Sequence, residues 1–127
     1  MEARWLSMFA DVIGRCGVKP GDACAVLAET QSRPVLVQLA SLALQQLGAH
    51  SFVVTVPTPP VTTPVPVRST GASMALGGQG AAVAALSRCA LVVDCTVEGI
   101  QHAAELPAIL GAGARVLVVS NEHPEIL

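Results

Sequence analysis

Four short apolar runs recur along the chain, and a stretch with helical spacing precedes each of them. The runs occupy residues 23–28, 51–56, 90–94 and 114–120. They are continuously apolar instead of alternating, which is typical of parallel strands that helices cover on both faces. The resulting order, α-β-α-β-α-β-α-β, predicts a three-layer α/β sandwich once right-handed crossovers are applied.

The predicted sheet is parallel, Rossmann- or flavodoxin-like, with about four strands in the order 2-1-3-4. We assign residues 1–127 to a single α/β domain. Its helices are predicted at residues 3–16, from Pro34 to the stop at Gly48, at 80–86 and at 105–110. Proline is tolerated in the first turn of a helix, and glycine is common just after its end.

Residues 57–73 form a proline-rich loop between the second strand and the third helix. Five prolines fall in its first ten residues, which excludes both a helix and a central strand there. A loop of this length is uncommon in a small domain and usually serves as a lid, a binding loop or a tether.

The chain of 127 residues carries a net charge of −2, and 13% of its residues are charged. Soluble domains average roughly 25% charged residues, so the deficit indicates surface hidden against another subunit or a second domain. The charge and the scarcity of aromatic residues disfavour a nucleic-acid partner. No apolar stretch approaches the roughly 20 residues of a membrane span, and the N-terminus is typical of an amphipathic helix.

Four cysteines are far apart in the sequence and form no C-x-x-C pair. They are Cys16, Cys24, Cys89 and Cys95. Cys24 and Cys95 fall in or directly after predicted buried strands, where a thiol behaves as a small hydrophobe. We therefore expect reduced thiols and a cytoplasmic location.

Polar residues cluster where three of the predicted strands end. Glu29 and Thr30 follow the first strand, Asp94, Thr96 and Glu98 follow the third, and another cluster occupies 120–123. Open α/β sheets bind ligands at the carboxyl ends of their strands, so the first five residues are candidates for a substrate cleft. The alternative is that such residues cap helices and form turns. No catalytic set is complete, and we assign no catalytic residue.

Glu98, His102 and Glu105 have the spacing of one helical face and could hold a metal as carboxylate and imidazole ligands. Gly99 and Pro107 argue against a continuous helix, so we expect this chain to bind no iron or zinc. The Gly78-x-Gly80 pair lacks a third glycine and follows a loop, which argues against a dinucleotide site.

Several segments resemble the N-terminal domain of 2,5-dihydroxypyridine 5,6-dioxygenase-like proteins, which are related to the aminopeptidase T metallopeptidases. They are AALSRCALVVD at 84–94, ILGAGARVLVV at 109–119, NEHPEIL at 121–127, GVKPGD at 17–22 and LGA at 47–49. The resemblance covers nearly the whole chain.

The resemblance implies a longer, two-domain enzyme that degrades aromatic compounds, with Fe(II) or another divalent metal bound in a C-terminal domain. This chain would then be non-catalytic by itself, with its own C-terminal domain, a further copy and a small-molecule substrate as partners. The Pro-rich loop departs from the family pattern and leaves the substrate class open. The alternatives are an aminopeptidase T-like peptidase domain and a free-standing α/β binding or assembly module.

Overall fold

Helices and strands alternate through the part of the chain that the structure describes, residues 3–60 and 72–119 of a computed structural model. The helices are α1 (Ala3–Arg15), α2 (Pro34–Gln46), α3 (Gly80–Ser87) and α4 (Leu106–Gly111). The strands are β1 (Ala23–Glu29), β2 (His50–Val56), β3 (Leu91–Asp94) and β4 (Arg115–Val118). All eight predicted elements are present, with ends that lie within two residues of the predicted ones.

The four strands form one parallel sheet in the order β2-β1-β3-β4. Strand β1 lies in the middle, where Leu27 pairs with Val54 on one side and with Asp94 on the other. The predicted parallel sheet and its strand order are therefore confirmed.

Two apolar clusters pack on opposite faces of the sheet. On one face α1 and α2 cover Cys24 and Val26, and on the other α3 and α4 cover Ala25 and Leu27. Successive side chains of a strand point to opposite faces, which is why an uninterrupted apolar run is needed for a strand covered on both. The three-layer α/β sandwich is thereby confirmed.

The prediction that every strand is buried on both faces is wrong for β2. Phe52 and Val53 are 41% and 45% exposed, whereas Leu91–Asp94 of β3 is buried throughout. Strand β4 is also only partly covered. Both strands lie at the edges of the described sheet, and the residues of an apolar run carry no information about whether that run is central or at an edge.

The helix ends follow from local sequence, as predicted. Pro34 occupies the first turn of α2, and Gly48 after its end adopts a φ of +82°, where a Cβ would lie 3.2 Å from the Pro20 side chain. At the end of α1 the Arg115 guanidinium donates a hydrogen bond to the Cys16 carbonyl oxygen, which ties that helix to the start of β4.

Some apolar surface is left open in the described part of the chain. An apolar groove of about 190 Å³ lies between α1 and β4, lined by Met8, Phe9, Val12, Ile13, Leu117, Val118 and Val119. That a partner covers this surface stays a prediction.

Among residues 3–60 and 72–119, no helix combines the length and apolar character needed to cross a membrane.

The difference in burial between the central and edge strands should appear as a difference in the free energy of unfolding lost by variants. Replacing Leu27 by Ala should lower the free energy of unfolding by about 2–5 kcal/mol, because a fully buried side chain leaves a cavity. Replacing Phe52 by Ala on the half-exposed edge should cost about 1 kcal/mol or less. Urea denaturation of both variants checks this, and equal losses would contradict the assignment of β2 to an edge.

Candidate functional site

The strand order reverses between β1 and β3, and we call the region between the loops that follow their carboxyl ends the crevice. After β1 the chain crosses one face of the sheet through α2 to β2, and after β3 it crosses the other face through α4 to β4. The loops that follow the two neighbouring strands therefore diverge, which leaves the space where open α/β sheets bind ligands. Glu29 and Asp94 are the last residues of these two strands.

Asp94 is fully buried, and donors from its own loop surround its carboxylate. Oδ1 accepts the Thr96 backbone N–H at 2.9 Å and the Thr96 hydroxyl at 2.6 Å, while Oδ2 accepts the Ile100 N–H at 2.7 Å. The Thr96 hydroxyl oxygen in turn accepts the Gly99 N–H at 3.1 Å. These bonds fold residues 94–100 into one fixed turn.

Burial raises the pKa of the Asp94 carboxyl, and the hydrogen bonds from Thr96 and Ile100 oppose that rise. Charge-assisted bonds to backbone N–H groups are among the strongest that a protein makes, so they compensate for the lost hydration. In this structure the carboxylate orders the loop after β3, and Asp94 and Thr96 are both closed off from solvent. A direct role for them in binding substrate stays a prediction.

Ser32 links the two strand ends across the crevice. Its hydroxyl accepts the Glu29 N–H at 2.9 Å and donates to the Cys95 carbonyl oxygen at 2.7 Å. Of the two ordinary roles given as the alternative for such residues, Ser32 forms a turn, because its N–H also donates to the Glu29 carbonyl oxygen at 2.9 Å. It does not cap α2, since Arg33 occupies the N-cap of that helix and no side chain caps it. The sequence could not show which strand the Ser32 hydroxyl would reach.

Thr30 and Thr58 join the end of β1 to the segment after β2. The Thr58 N–H donates to Thr30 Oγ1 at 3.3 Å, and the Gln31 N–H donates to Thr58 Oγ1 at 2.9 Å. The Thr30 N–H also donates to the Val56 carbonyl oxygen at 3.0 Å, which continues the ladder past the strand. The carboxyl ends of the neighbouring strands β2, β1 and β3 are thus held together by the side chains of Thr30, Ser32 and Thr58.

The Glu29 carboxyl lies between these loops and is only 4% exposed. Burial raises its pKa, and the negative charges of Asp94 and Glu98 raise it further. Hydrogen bonds from the Val97 backbone and from the Thr58 hydroxyl act in the opposite direction. Of the five predicted cleft residues, Glu29, Asp94 and Glu98 therefore lie close enough to interact electrostatically. Thr30 is exposed to solvent.

A wider groove of about 320 Å³ lies beyond the loop after β3, next to the entrance of α4. The Ser73 N–H donates to the Gly99 carbonyl oxygen at 2.8 Å and so fixes one wall to that loop. The groove is lined by Ala72, Ser73, Met74, Gly77, His102, Ala103, Ala104 and Glu105. Met74 in this lining is 76% exposed.

The described residues do not fit a metal centre. Glu98, His102 and Glu105 lie in turns before α4 and share no helix, so the spacing on which the metal hypothesis relied is absent. Within 3–60 and 72–119, no three His, Cys, Asp or Glu residues come together as a possible ligand set. The Asp94 oxygens already accept three hydrogen bonds. The cluster at 120–123, and residues 61–71 of the Pro-rich loop, lie outside the described residues.

The fold places this chain among parallel α/β domains whose strand order reverses between two neighbouring strands. The sequence profile of one family, 2,5-dihydroxypyridine 5,6-dioxygenase (NicX), matches residues 4–127. The chain belongs to this family, and the resemblance inferred from its sequence is confirmed.

One solved structure is similar over nearly the whole chain, the 2,5-dihydroxypyridine dioxygenase from Pseudomonas putida KT2440. The identity is 32% and the TM-score 0.85, over 98% of this chain and 35% of that one. The N-terminal subdomain of Klebsiella oxytoca NpsA, in complex with anthranilyl-AMSN, is 22% identical with a TM-score of 0.39, over 85% of this chain and 24% of that one. No curated protein sequence matches. The expected relation to aminopeptidase T is not shown and stays a prediction.

The ordered conformation of the loop after β3 should depend on the Asp94 carboxylate. Replacing Asp94 by Asn puts an amide in place of one acceptor oxygen, so one of the three buried donors loses its partner. We expect a loss of about 1–3 kcal/mol in the free energy of unfolding, measured by urea denaturation. Asp22→Asn, at the opposite end of β1, is the control and should change stability little; equal effects would contradict the role of Asp94.

The buried thiols should make stability depend on alkaline pH. Burial raises the pKa of Cys95 from 9.0 to about 12, and Asp94 adds to the rise. Between these values the unfolded thiol loses its proton while the folded one keeps it, so stability falls as pH rises. Cys95→Ala should flatten the fall in stability measured from pH 9 upwards. An unchanged slope in the Cys95 variant would be evidence against this assignment.

Proposed function

We propose that the protein acts in the oxygen-dependent opening of the 2,5-dihydroxypyridine ring and that this chain forms one wall of the substrate cleft. The observation that carries the proposal is the match to the Pseudomonas putida dioxygenase at 32% identity over 98% of this chain. The chain spans 35% of that relative's length, so the activity is proposed for the enzyme as a whole.

The groove next to α4 has suitable chemistry for such a ring. A dihydroxypyridine has flat apolar faces and an edge of hydroxyl groups and a ring nitrogen. Met74 and Ala103 offer apolar contact to a face, and Ser73, His102 and Glu105 offer polar atoms to an edge. Small-molecule sites typically combine an apolar lining with a few polar groups that fix orientation. This chain would thus bind and orient the ring.

We further propose that the groups of the chemical step, with the Fe(II) or other divalent metal that the resemblance implies, are supplied by parts of the enzyme other than the described residues. This is supported by the absence of a suitable donor cluster in 3–60 and 72–119. The role proposed for this chain is therefore to shape the cleft and to restrict the access of water.

Two measurements test the proposal: turnover by the wild-type enzyme, and the KM of a variant with a changed groove residue. With Fe(II) and O₂, the purified whole enzyme that contains this chain should consume 2,5-dihydroxypyridine with matching oxygen uptake. Met74→Ala should raise KM about fivefold, as expected for losing about 1 kcal/mol of sulfur–ring contact. Leu110→Ala removes another exposed apolar side chain, outside the groove, and should leave KM unchanged.

The alternatives give different results in the same preparation. Release of N-terminal residues from peptides in the presence of a divalent metal, without ring opening, would instead support the peptidase alternative. Ring binding by calorimetry without any turnover would support a binding module. Ring opening with an unchanged KM in the Met74 variant would contradict the placement of the ring in this groove.

A further inference from the structure

Three hydroxyl side chains are buried in the described part of the chain, those of Ser32, Ser73 and Thr96. The Ser32 hydroxyl donates its hydrogen to the Cys95 carbonyl oxygen at 2.7 Å. The Thr96 hydroxyl donates to Asp94 Oδ1 at 2.6 Å. This is the ordinary state of a buried hydroxyl, because removing a donor from water without giving it a new acceptor costs free energy. Ser73 departs from this pattern.

The Ser73 hydroxyl oxygen acts as an acceptor in this structure. It accepts the Ala75 N–H at 3.1 Å, and Ser73 is only 4% exposed. Within residues 3–60 and 72–119, no hydrogen bond runs from this hydroxyl to an acceptor. A serine hydroxyl carries one hydrogen to donate besides its lone pairs, so Ser73 keeps an unused donor.

The backbone on both sides of this side chain is fixed. The Ser73 N–H donates to the Gly99 carbonyl oxygen at 2.8 Å, which ties the residue to the ordered loop after β3. On the other side Ala75 and Leu76 are buried, and Leu76 belongs to the apolar cluster that α3 and α4 cover. The hydroxyl is thus held in place before a ligand arrives, which lowers the entropic cost of binding.

The unused donor belongs to a residue that lines the groove next to α4. A ligand in this groove can therefore supply the acceptor that the described residues do not. In water a 2-hydroxypyridine ring is present mainly as its lactam tautomer, in which the oxygen at ring position 2 is a carbonyl oxygen. That oxygen accepts hydrogen bonds and has no hydrogen to donate, so it is the complement of a free O–H group.

We infer that Ser73 is a specificity-determining residue of the groove: its hydroxyl donates a hydrogen bond to the oxygen at position 2 of the ring substrate. This inference rests on the proposed function, because it places 2,5-dihydroxypyridine in the groove. Ser73 then selects rings that carry this oxygen, since a ring without it leaves the buried donor unpaired.

The binding of two rings to the whole enzyme tests the inference, measured by calorimetry without O₂ so that no ring is opened. The rings are 2,5-dihydroxypyridine and 3-hydroxypyridine, which lacks the oxygen at position 2. Ser73→Ala should weaken binding of the first ring about tenfold and of the second less than about twofold, because only the first loses a hydrogen bond. Ser41→Ala is the control: its hydroxyl donates to the Val37 carbonyl oxygen at 2.9 Å within α2, and neither Kd should change.

A second variant keeps the test decisive if the alanine variant fails to fold. Ser73→Cys retains the size of the side chain but offers a weak donor, so 2,5-dihydroxypyridine should bind about fivefold more weakly and 3-hydroxypyridine almost as in the wild type. Equal losses for the two rings, or no loss for either, would overturn the inference. A residue that only maintains the local structure would affect both rings alike.

The same measurements separate this inference from the proposed function. A wild-type enzyme that binds both rings but does not open 2,5-dihydroxypyridine overturns the proposed function, while the difference between the rings in the variants still decides the role of Ser73. With an active wild type, equal losses for the two rings overturn the inference alone. A wild-type enzyme that binds neither ring overturns both.

Discussion

The buried carboxylate of Asp94 is the constraint on which the geometry of the carboxyl edge depends. A charge with no exposure must be compensated by donors, and the nearest donors are the N–H and hydroxyl groups of the six residues that follow it. The loop after β3 therefore closes on the carboxylate and has one shape. The Ser32 hydroxyl and the Ser73 N–H both donate hydrogen bonds to this loop, so the crevice and the groove share a fixed wall.

That wall needs a rigid support, which the packing of β1 and β3 supplies. Both strands are buried between two helical layers, so the ends of the strands cannot shift without opening an apolar core. The edge strands are different, since β2 leaves Phe52 and Val53 half-exposed. The site thus lies at the ends of the two strands that packing holds most firmly, where ordering a polar loop costs the least conformational entropy.

The proposed function gives this arrangement a use. An aromatic ring with polar substituents needs a shaped cleft with a few fixed hydrogen-bonding groups, and an ordered loop at a switch point presents them. The described residues offer such a surface but no cluster of metal ligands. The proposed function therefore assigns ring binding to this surface and metal binding to another part of the enzyme.

The sequence by itself predicted the fold class, because continuous apolar runs that alternate with helical stretches indicate a parallel sheet covered on both faces. It also located the polar strand ends, since Glu29 directly follows the first run and Asp94 ends the third. Tertiary structure alone decided that Ser32 bridges two strands instead of capping α2, and that Glu98, His102 and Glu105 share no helix. It likewise decided which apolar runs lie at an edge. These outcomes depend on contacts between residues that are distant in sequence, and neither local spacing nor propensity encodes such contacts.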